Sequence, residues 1–469
     1  MEESDVLILG AGLTGMSAAS VLQDRAVVLE QSDRPGGLVR TECFDGYWFD
    51  RVLHLLYTDE PDVEARIRQL LGDDLAPCSP VSWVHTDHGT ARFPFQFHLG
   101  DIAPEKAINC LMELAQLAFQ PRSNAGPANF EEMLLQTFGK TMCEVFHFPY
   151  NRKVWKRPLH RLTPQGFTWN IAPVELRKAL VGALSPEKRF AGYNSRGWYP
   201  RPPADSPVRG MELLSRRLAR KVPDLRLGHT VTALDLAERT VTVACNGETY
   251  RIRYDTGCCS TIPLPLLMRI CRQTPRKYQE AARRLTRNRV LTVALNVKGP
   301  RPHDSGHWRY YANESLAFTR LIYPHQFDPL SAPPEGWGLM AEIVEPGELP
   351  LRGKREVLDR VREDARRAGA LPDDCQIVGE NLIVTDPAYV VFSVENQRLL
   401  NNIRSFFERR GITLMGRYGR WSYTSMAQVM GRGFRWAEGL CESPRLVGTP
   451  QPEEGLYVPA SVGQVAEEA

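Results

Sequence analysis

This 469-residue chain has no apolar run long enough to cross a bilayer. Its most apolar helical stretch, Cys110 to Phe119, carries Glu113 and Gln116 and falls well short of the roughly 20 residues a span needs. Charge of one sign is also missing. The 58 basic residues against 55 acidic leave +3, too even a balance to point to nucleic acid or an anionic membrane as partner. The ten cysteines form no C-x-x-C, and the adjacent pair Cys258–Cys259 lies in an apolar stretch without a nearby histidine. They read as small buried residues of a reducing compartment, and no metal is expected. The opening Met1-Glu2-Glu3-Ser4-Asp5 lacks the positive n-region of a signal peptide, so a cytoplasmic location is expected. A 43% hydrophobic and 24% charged composition is ordinary for globular proteins and excludes wholesale disorder or fibrous repetition.

What is present begins at residue 5. Asp5-Val6-Leu7-Ile8-Leu9 suits a strand buried on both faces; Gly10-Ala11-Gly12-Leu13-Thr14-Gly15 follows it, and Met16–Leu22 then has helical character. Gly10 permits a tight turn, Gly12 lets the backbone approach a pyrophosphate, and Gly15 lets helix and strand pack closely. The helix start offers free N–H groups and the positive end of its dipole to phosphates. A second strand, Ala26–Leu29, ends at Glu30, about 20 residues on, where a carboxylate accepts from both ribose hydroxyls and repels a 2′-phosphate. Order and spacing together predict a dinucleotide site.

After Glu30 the chain reads Gln31-Ser32-Asp33-Arg34-Pro35-Gly36-Gly37-Leu38-Val39-Arg40. This resembles the glycine-pair extension of FAD enzymes in the amine oxidase and protoporphyrinogen oxidase superfamily. The resemblance implies FAD as cofactor, with a second glycine turn near the flavin side and Arg40 paired to the pyrophosphate. Further islands are similar to UDP-galactopyranose mutases: Gly46–Thr58 around His54, Phe148–Trp155, Phe318–Ile322, and Gly416-Arg417-Tyr418 with Tyr423, Met426 and Gln428-Val429. They run in order from residue 5 to about 440. The cofactor-binding residues so implied are Gly10, Gly12, Leu13, Thr14, Gly15, Glu30, Gln31, Gly36, Gly37, Leu38, Arg40, His54, Val231, Gly416, Arg417, Met426 and Gln428. His54, Trp155, Arg320 and Tyr423 are the implied catalytic residues. Arg417 is expected on the pyrophosphate, and the helix opening at Met426 is expected to aim its positive end at the flavin C2 carbonyl.

The implied fold class is α/β: a Rossmann-like FAD-binding domain with an inserted helical domain and an α+β substrate domain containing a mostly antiparallel sheet. Residues 1–75, 206–262 and 412–445 are assigned to FAD binding, 76–205 to a mainly helical insertion, 263–411 to substrate binding, and 446–469 to an irregular tail. Helices are predicted over Glu105–Phe119 and Phe130–Phe138. Alternating strands are predicted through Asp224–Thr261 with a turn at Asn246-Gly247, and an apolar helical stripe from Leu399 to Phe407 ends at Gly411. Trp308, Tyr310, Tyr311, Tyr323 and Tyr389 suit a polar-tipped aromatic pocket or a core. The basic residues Arg152, Lys153, Lys156 and Arg157 around Trp155 read as a solvated face or a flavin-side contact.

Departures from the mutase pattern bear on function. No arginine stands between Asn170 and Arg177, Phe392 takes a tyrosine position, and Trp421 takes another. A diphosphate needs several charge-assisted donors. The expectation is therefore an FAD-dependent oxidoreductase moving hydride from a sugar-like, polyhydroxylated or amino small molecule to flavin N5. The alternative is a non-redox nucleotide-sugar pyranose/furanose mutase using reduced N5 as nucleophile. A small-molecule substrate, sugar-like or a nucleotide sugar, is expected; nucleic acid and membrane partners are not, and the oligomeric state is open.

Overall fold

The computed structural model describes residues 1–53, 55–120, 126–164, 174–192 and 195–442. Strand Glu2–Leu9 sends Val6 and Ile8 into one core and Leu7 and Leu9 into another. This is why its apolar run is continuous rather than alternating. It lies in a seven-stranded sheet ordered Thr230–Asp235, Thr240–Cys245, Glu248–Ser260, Glu2–Leu9, Ala26–Glu30, Asp224–Leu227, with Ile412–Leu414 also paired to Glu248–Ser260. Pairing around Glu2–Leu9 is parallel, and a hairpin extension is antiparallel. Asn246 and Gly247 join that hairpin with φ of 51° and 84°, as a tight two-residue turn matching strand twist requires.

Helices Leu13–Leu22, Glu212–Ala219 and Met426–Glu442 pack on one face of this sheet. Leu264–Ile270 and Gln397–Glu408 pack on the other. In Gln397–Glu408 the expected stripe is core: Leu400, Ile403, Phe406 and Phe407 are buried, Leu399 partly so. No helix among the described residues is long and apolar enough to cross a membrane.

The second seven-stranded sheet is ordered Gln376–Val390, Arg287–Lys298, Gly336–Pro346, Arg320–Ile322, Trp308–Tyr311, Ser82–Thr86, Gly89–Arg92. Only the Trp308–Tyr311 and Ser82–Thr86 pair is parallel. The 76–205 stretch, expected to be mainly helical, thus also supplies the sheet's edge hairpin. Its strands are short and polar, with Val84 and Ala91 among their few buried apolar residues, so they carry little periodic signal. The same stretch holds helices Pro104–Phe119, Phe130–Phe138, Phe148–Trp155 and Leu176–Leu184. All ten cysteines are free thiols; Cys43 and Cys441 are exposed, unlike the buried Cys258 and Cys259.

Buried Asp50 knits distant segments together. It accepts hydrogen bonds from the Thr41 hydroxyl (2.6 Å), the Tyr199 hydroxyl (2.7 Å) and the Met211 backbone N–H (3.0 Å). Burial pushes its pKa up to about 6 although the three donors oppose the shift. The folded value lies above the unfolded one, so this group contributes stability that is complete below about pH 4 and is lost as pH rises through about 6. Asp50→Asn keeps an acceptor for Thr41 and Met211 and offers Nδ2 to the Tyr199 oxygen. We expect it to raise the urea midpoint at neutral pH and to flatten the pH dependence between pH 4 and 7, by order of 1–3 kcal/mol. Urea titrations across that range check it, and a variant profile parallel to wild type would refute it.

Candidate active site

One cavity of about 630 Å³ opens between the carboxyl ends of the first sheet's parallel strands and the second sheet. At one end, helix Leu13–Leu22 starts from Gly12 with no side-chain cap, and its first backbone bond runs from Met16 N–H to Gly12 O (3.1 Å). The N–H groups of Leu13, Thr14 and Gly15 therefore have no helical carbonyl ahead of them. A Cβ placed on Gly12 would meet no atom within 4 Å, so the backbone itself faces open space. Gly36 N–H donates to Ala11 O (2.8 Å), joining the second glycine turn to the first. Gly10, Gly12, Leu13, Thr14, Gly36, Gly37, Leu38 and Arg40 all line the cavity.

Glu30 continues this wall with Gln31, His229 and Val231. Its carboxylate accepts from Ala11 N–H (3.0 Å) and Ser32 N–H (2.9 Å), which leaves further lone pairs for a ligand. Arg40 is buried, and its guanidinium donates to the carbonyls of Pro35 (3.3 Å) and Arg34. Gly416 abuts Thr14, and Met426 opens its helix at the same wall.

Toward the second sheet the lining changes character. Arg320 and Glu342, on neighbouring strands, form a bidentate pair: Nε donates to Oε2 and Nη2 to Oε1, both at 2.9 Å. Burial opposes the Arg320 charge, but Glu342 more than compensates and holds it protonated. Tyr150, Tyr310 and Tyr389 surround the pair. Burial raises all three phenol pKa values, so they are neutral donors and acceptors. The Arg417 guanidinium lies 4.1 Å from the Tyr423 ring and 5.6 Å from the Tyr389 ring, and Nη2 donates to Ala388 O (3.0 Å).

A third region is aromatic and uncharged: Phe93, Phe130, Phe138, Phe146, His147, Val154 and Trp155. His147 closes a single π-helical turn, Cys143–His147, and stacks on Phe138 at 3.8 Å. Burial lowers its pKa to about 3, so it is neutral. Its Nε2, with Thr385 Oγ1, Thr424 Oγ1 and Arg417 Nε, is a buried polar atom with no hydrogen-bond partner among the described residues. All four residues line the cavity. Such orphaned atoms are uncommon unless a ligand or water completes them. No group of three His, Cys, Asp or Glu side chains among the described residues could hold a metal ion.

The family model for flavin containing amine oxidoreductases matches residues 13–389. The chain belongs to that family. Among solved structures, the fold is similar to reduced UDP-galactopyranose mutase (TM-score 0.85, 22% identity, 94% of each chain covered). It also resembles putrescine oxidase bound to putrescine (0.59, 16%, 94% of this chain and 99% of that one). A third is a CLA-producing fatty acid isomerase from P. acnes (0.60, 13%, 94% and 98%).

Within this flavoenzyme fold most residues singled out from sequence meet in the one cavity, including Trp155, Arg320 and Tyr423. Three do not. Gly15 is not in the wall, because it is the contact between helix and strand: a Cβ there would sit 2.2 Å from Gly10 O. Gln428 caps its own helix instead, accepting from Ser425 N–H (3.0 Å) while its N–H donates to Ser425 Oγ (3.3 Å). The sequence Ser425-x-x-Gln428 is a capping box, a signal that was readable. His54, the 170–173 stretch and the 446–469 tail lie outside the described residues.

The packing also places residues that the sequence left open or misjudged. Phe392 is absent from the wall, and a tyrosine hydroxyl is supplied there by Tyr389. Trp421 is core, and Tyr311 and Tyr323 belong to a separate cluster. Lys153 is neither solvated nor flavin-facing: its buried ammonium donates to the carbonyls of Tyr311 (2.9 Å), Asn313 (2.8 Å) and Phe318 (2.6 Å). Glu342 and His147 were missed. An acid in the middle of the apolar run Leu339–Val344 was the available sign for Glu342, since unpaired carboxylates are rarely buried.

The family implies a flavin, and the open backbone at Gly12, the uncapped helix start, the anchored Glu30 and the orphaned polar atoms fit a bound nucleotide-linked group. Glu342→Gln should cost about 3–5 kcal/mol by leaving the Arg320 charge buried and unpaired, whereas the doubly apolar Arg320→Met, Glu342→Met protein should recover most of it. Denaturant unfolding of the single and double variants measures the coupling, and additive losses would refute it.

Proposed function

We propose that this protein is an FAD-dependent oxidoreductase acting on a C–H bond beside oxygen or nitrogen in a small polyhydroxylated or amino molecule. The observation that carries this reading is the closed Arg320–Glu342 pair. Of the two cations beside the tyrosines, Arg320 is already neutralised by a buried carboxylate, and Arg417 is taken by the cofactor in the reading below. A chamber of phenols around a net-neutral ion pair suits hydroxyl or amino groups, which exchange hydrogen bonds without bringing uncompensated charge.

In this reading the N–H groups of Leu13 and Thr14, with Arg40 and Arg417, hold the FAD pyrophosphate, and Glu30 takes the ribose hydroxyls. Gly36, Gly37 and Leu38 border the flavin side. Bound FAD supplies the hydride acceptor. Tyr150, Tyr310 and Tyr389 orient the substrate by hydrogen bonds, and the Phe130, Phe138 and Trp155 walls exclude water from the chamber. The neutral His147 offers a hydrogen bond at the chamber's aromatic end.

Anaerobic mixing of the FAD-loaded protein with polyols, sugars and primary amines should bleach the flavin for one class. The dithionite-reduced protein titrated with UDP, dTDP and GDP should give no saturable spectral change. Saturation with one nucleotide, together with no bleaching by any donor, would replace this reading with a nucleotide-sugar mutase. Glu30→Ala should weaken FAD retention roughly tenfold or more through lost charge-assisted hydrogen bonds, measured as flavin released on gel filtration; unchanged retention would remove Glu30 from the site.

A further inference from the structure

The even overall charge conceals a segregation. Residues 264–289 carry eight basic side chains against one acidic, and 397–410 carry four against one, so the rest of the chain is net acidic. In space the two segments form one surface. Helices Arg276–Ala282 and Gln397–Glu408 meet where the Tyr278 ring stands edge-on to Phe406, 5.6 Å between centroids. Each ring carries a cation: Lys277 Nζ lies 5.1 Å from the Tyr278 ring, and the Arg410 guanidinium lies 4.1 Å from the Phe406 ring. Asn396 Nδ2 donates to Arg284 O (2.7 Å), which brings Arg283 and Arg284 beside the start of helix Gln397–Glu408, near Arg398. The acids on the two helices are already engaged, Glu280 by Arg276 (2.9 Å) and Glu408 by Arg420 (3.2 Å). Arg283, Arg284, Arg398 and Arg409 are exposed, and exposed Glu395 is the acid that stands at their edge. The surface continues into aliphatic residues. Val394, two positions before Asn396, is 48% exposed. Gly347 N–H donates to Arg287 O (2.8 Å), which sets the loop after strand Gly336–Pro346 at the same edge, with Leu349 54% and Leu351 49% exposed.

We infer that this face binds the surface of an anionic phospholipid bilayer, lying on it without spanning it. Lys277, Arg283, Arg284, Arg398, Arg409 and Arg410 fall within the roughly four to eight clustered cations by which anionic headgroups hold a protein. The aliphatic residues at the edge suit the boundary between headgroups and acyl chains, where they gain by leaving water. A surface for single-stranded nucleic acid would instead present aromatic rings on which bases stack. Here Phe406 is buried beneath its arginine and Tyr278 is half-buried, so the exposed residues between the cations are aliphatic. Segregation makes the attraction possible in a chain of low net charge, because screening confines each headgroup's field to about 10 Å and the distant acidic surface is not felt.

The FAD-loaded full chain should co-sediment with phosphatidylcholine vesicles containing one-third phosphatidylglycerol, and not with vesicles of phosphatidylcholine alone. Raising salt from about 0.1 M to about 0.5 M should weaken that binding roughly tenfold or more, as screening shortens the reach of the cations. The combined Arg283→Gln, Arg284→Gln, Arg398→Gln and Arg409→Gln protein should bind the anionic vesicles roughly a hundredfold more weakly, with its flavin spectrum unchanged. A control with Lys188→Gln, Arg189→Gln, Arg220→Gln and Lys221→Gln loses the same charge from exposed positions elsewhere and should bind as the unmutated protein does. No binding to the anionic vesicles, equal binding to both vesicle types, or equal losses in the two variants overturns the inference. So does tighter binding of a single-stranded oligonucleotide than of the anionic vesicles at the same salt, which would assign the face to nucleic acid.

Discussion

The structure depends on how closely helix Leu13–Leu22 approaches strand Glu2–Leu9. At Gly15 there is no room for even a methyl group, because Gly10 O occupies the space. That contact aims an uncapped helix start past Gly12 into a cavity. With no side chain at Gly12 to satisfy its first N–H groups, the positive helix end is left for a ligand to complete. The Gly36 and Glu30 contacts to Ala11 then hold this end in shape from two sides.

Away from that end, Arg417 on its tyrosine rings apart, the cavity wall is arranged to carry little net charge. Arg320 is offset by Glu342, the tyrosines remain protonated, and His147 is too buried to ionise. Electrostatic attraction is concentrated near the glycine turns, and shape and neutral hydrogen bonding dominate in the tyrosine and phenylalanine chambers. The wall is assembled from segments far apart in sequence, so their alignment needs dedicated ties. Lys153 is one, fastening helix Phe148–Trp155 to three carbonyls beside strands Trp308–Tyr311 and Arg320–Ile322. Asp50 is another, joining the segments that carry Thr41, Tyr199 and Met211.

The similar folds include a mutase, an amine oxidase and a fatty acid isomerase by their descriptions. One architecture thus serves electron transfer and isomerisation, and the choice rests with the few side chains facing the substrate. In this chain the side chains we propose for that role are the ion pair, its three tyrosines and the aromatic recess.

The sequence by itself determined the glycine-rich cradle, the acid after the second strand and the family, because each depends on residues within a few positions of one another. Turn and helix-start chemistry is local, so Asn246-Gly247 and helix Phe130–Phe138 were also readable. Only the tertiary structure decided which aromatic residues face the cavity. Tyr310 and Tyr311 are adjacent on one strand and point to opposite faces of the sheet, one into the site and one into a different core. Nor could sequence show that Arg320 is neutralised. Glu342 is 22 residues away, and their meeting depends on the register of two antiparallel strands. Ionic state in a buried site is a property of what surrounds a side chain, and that is set when distant segments pack.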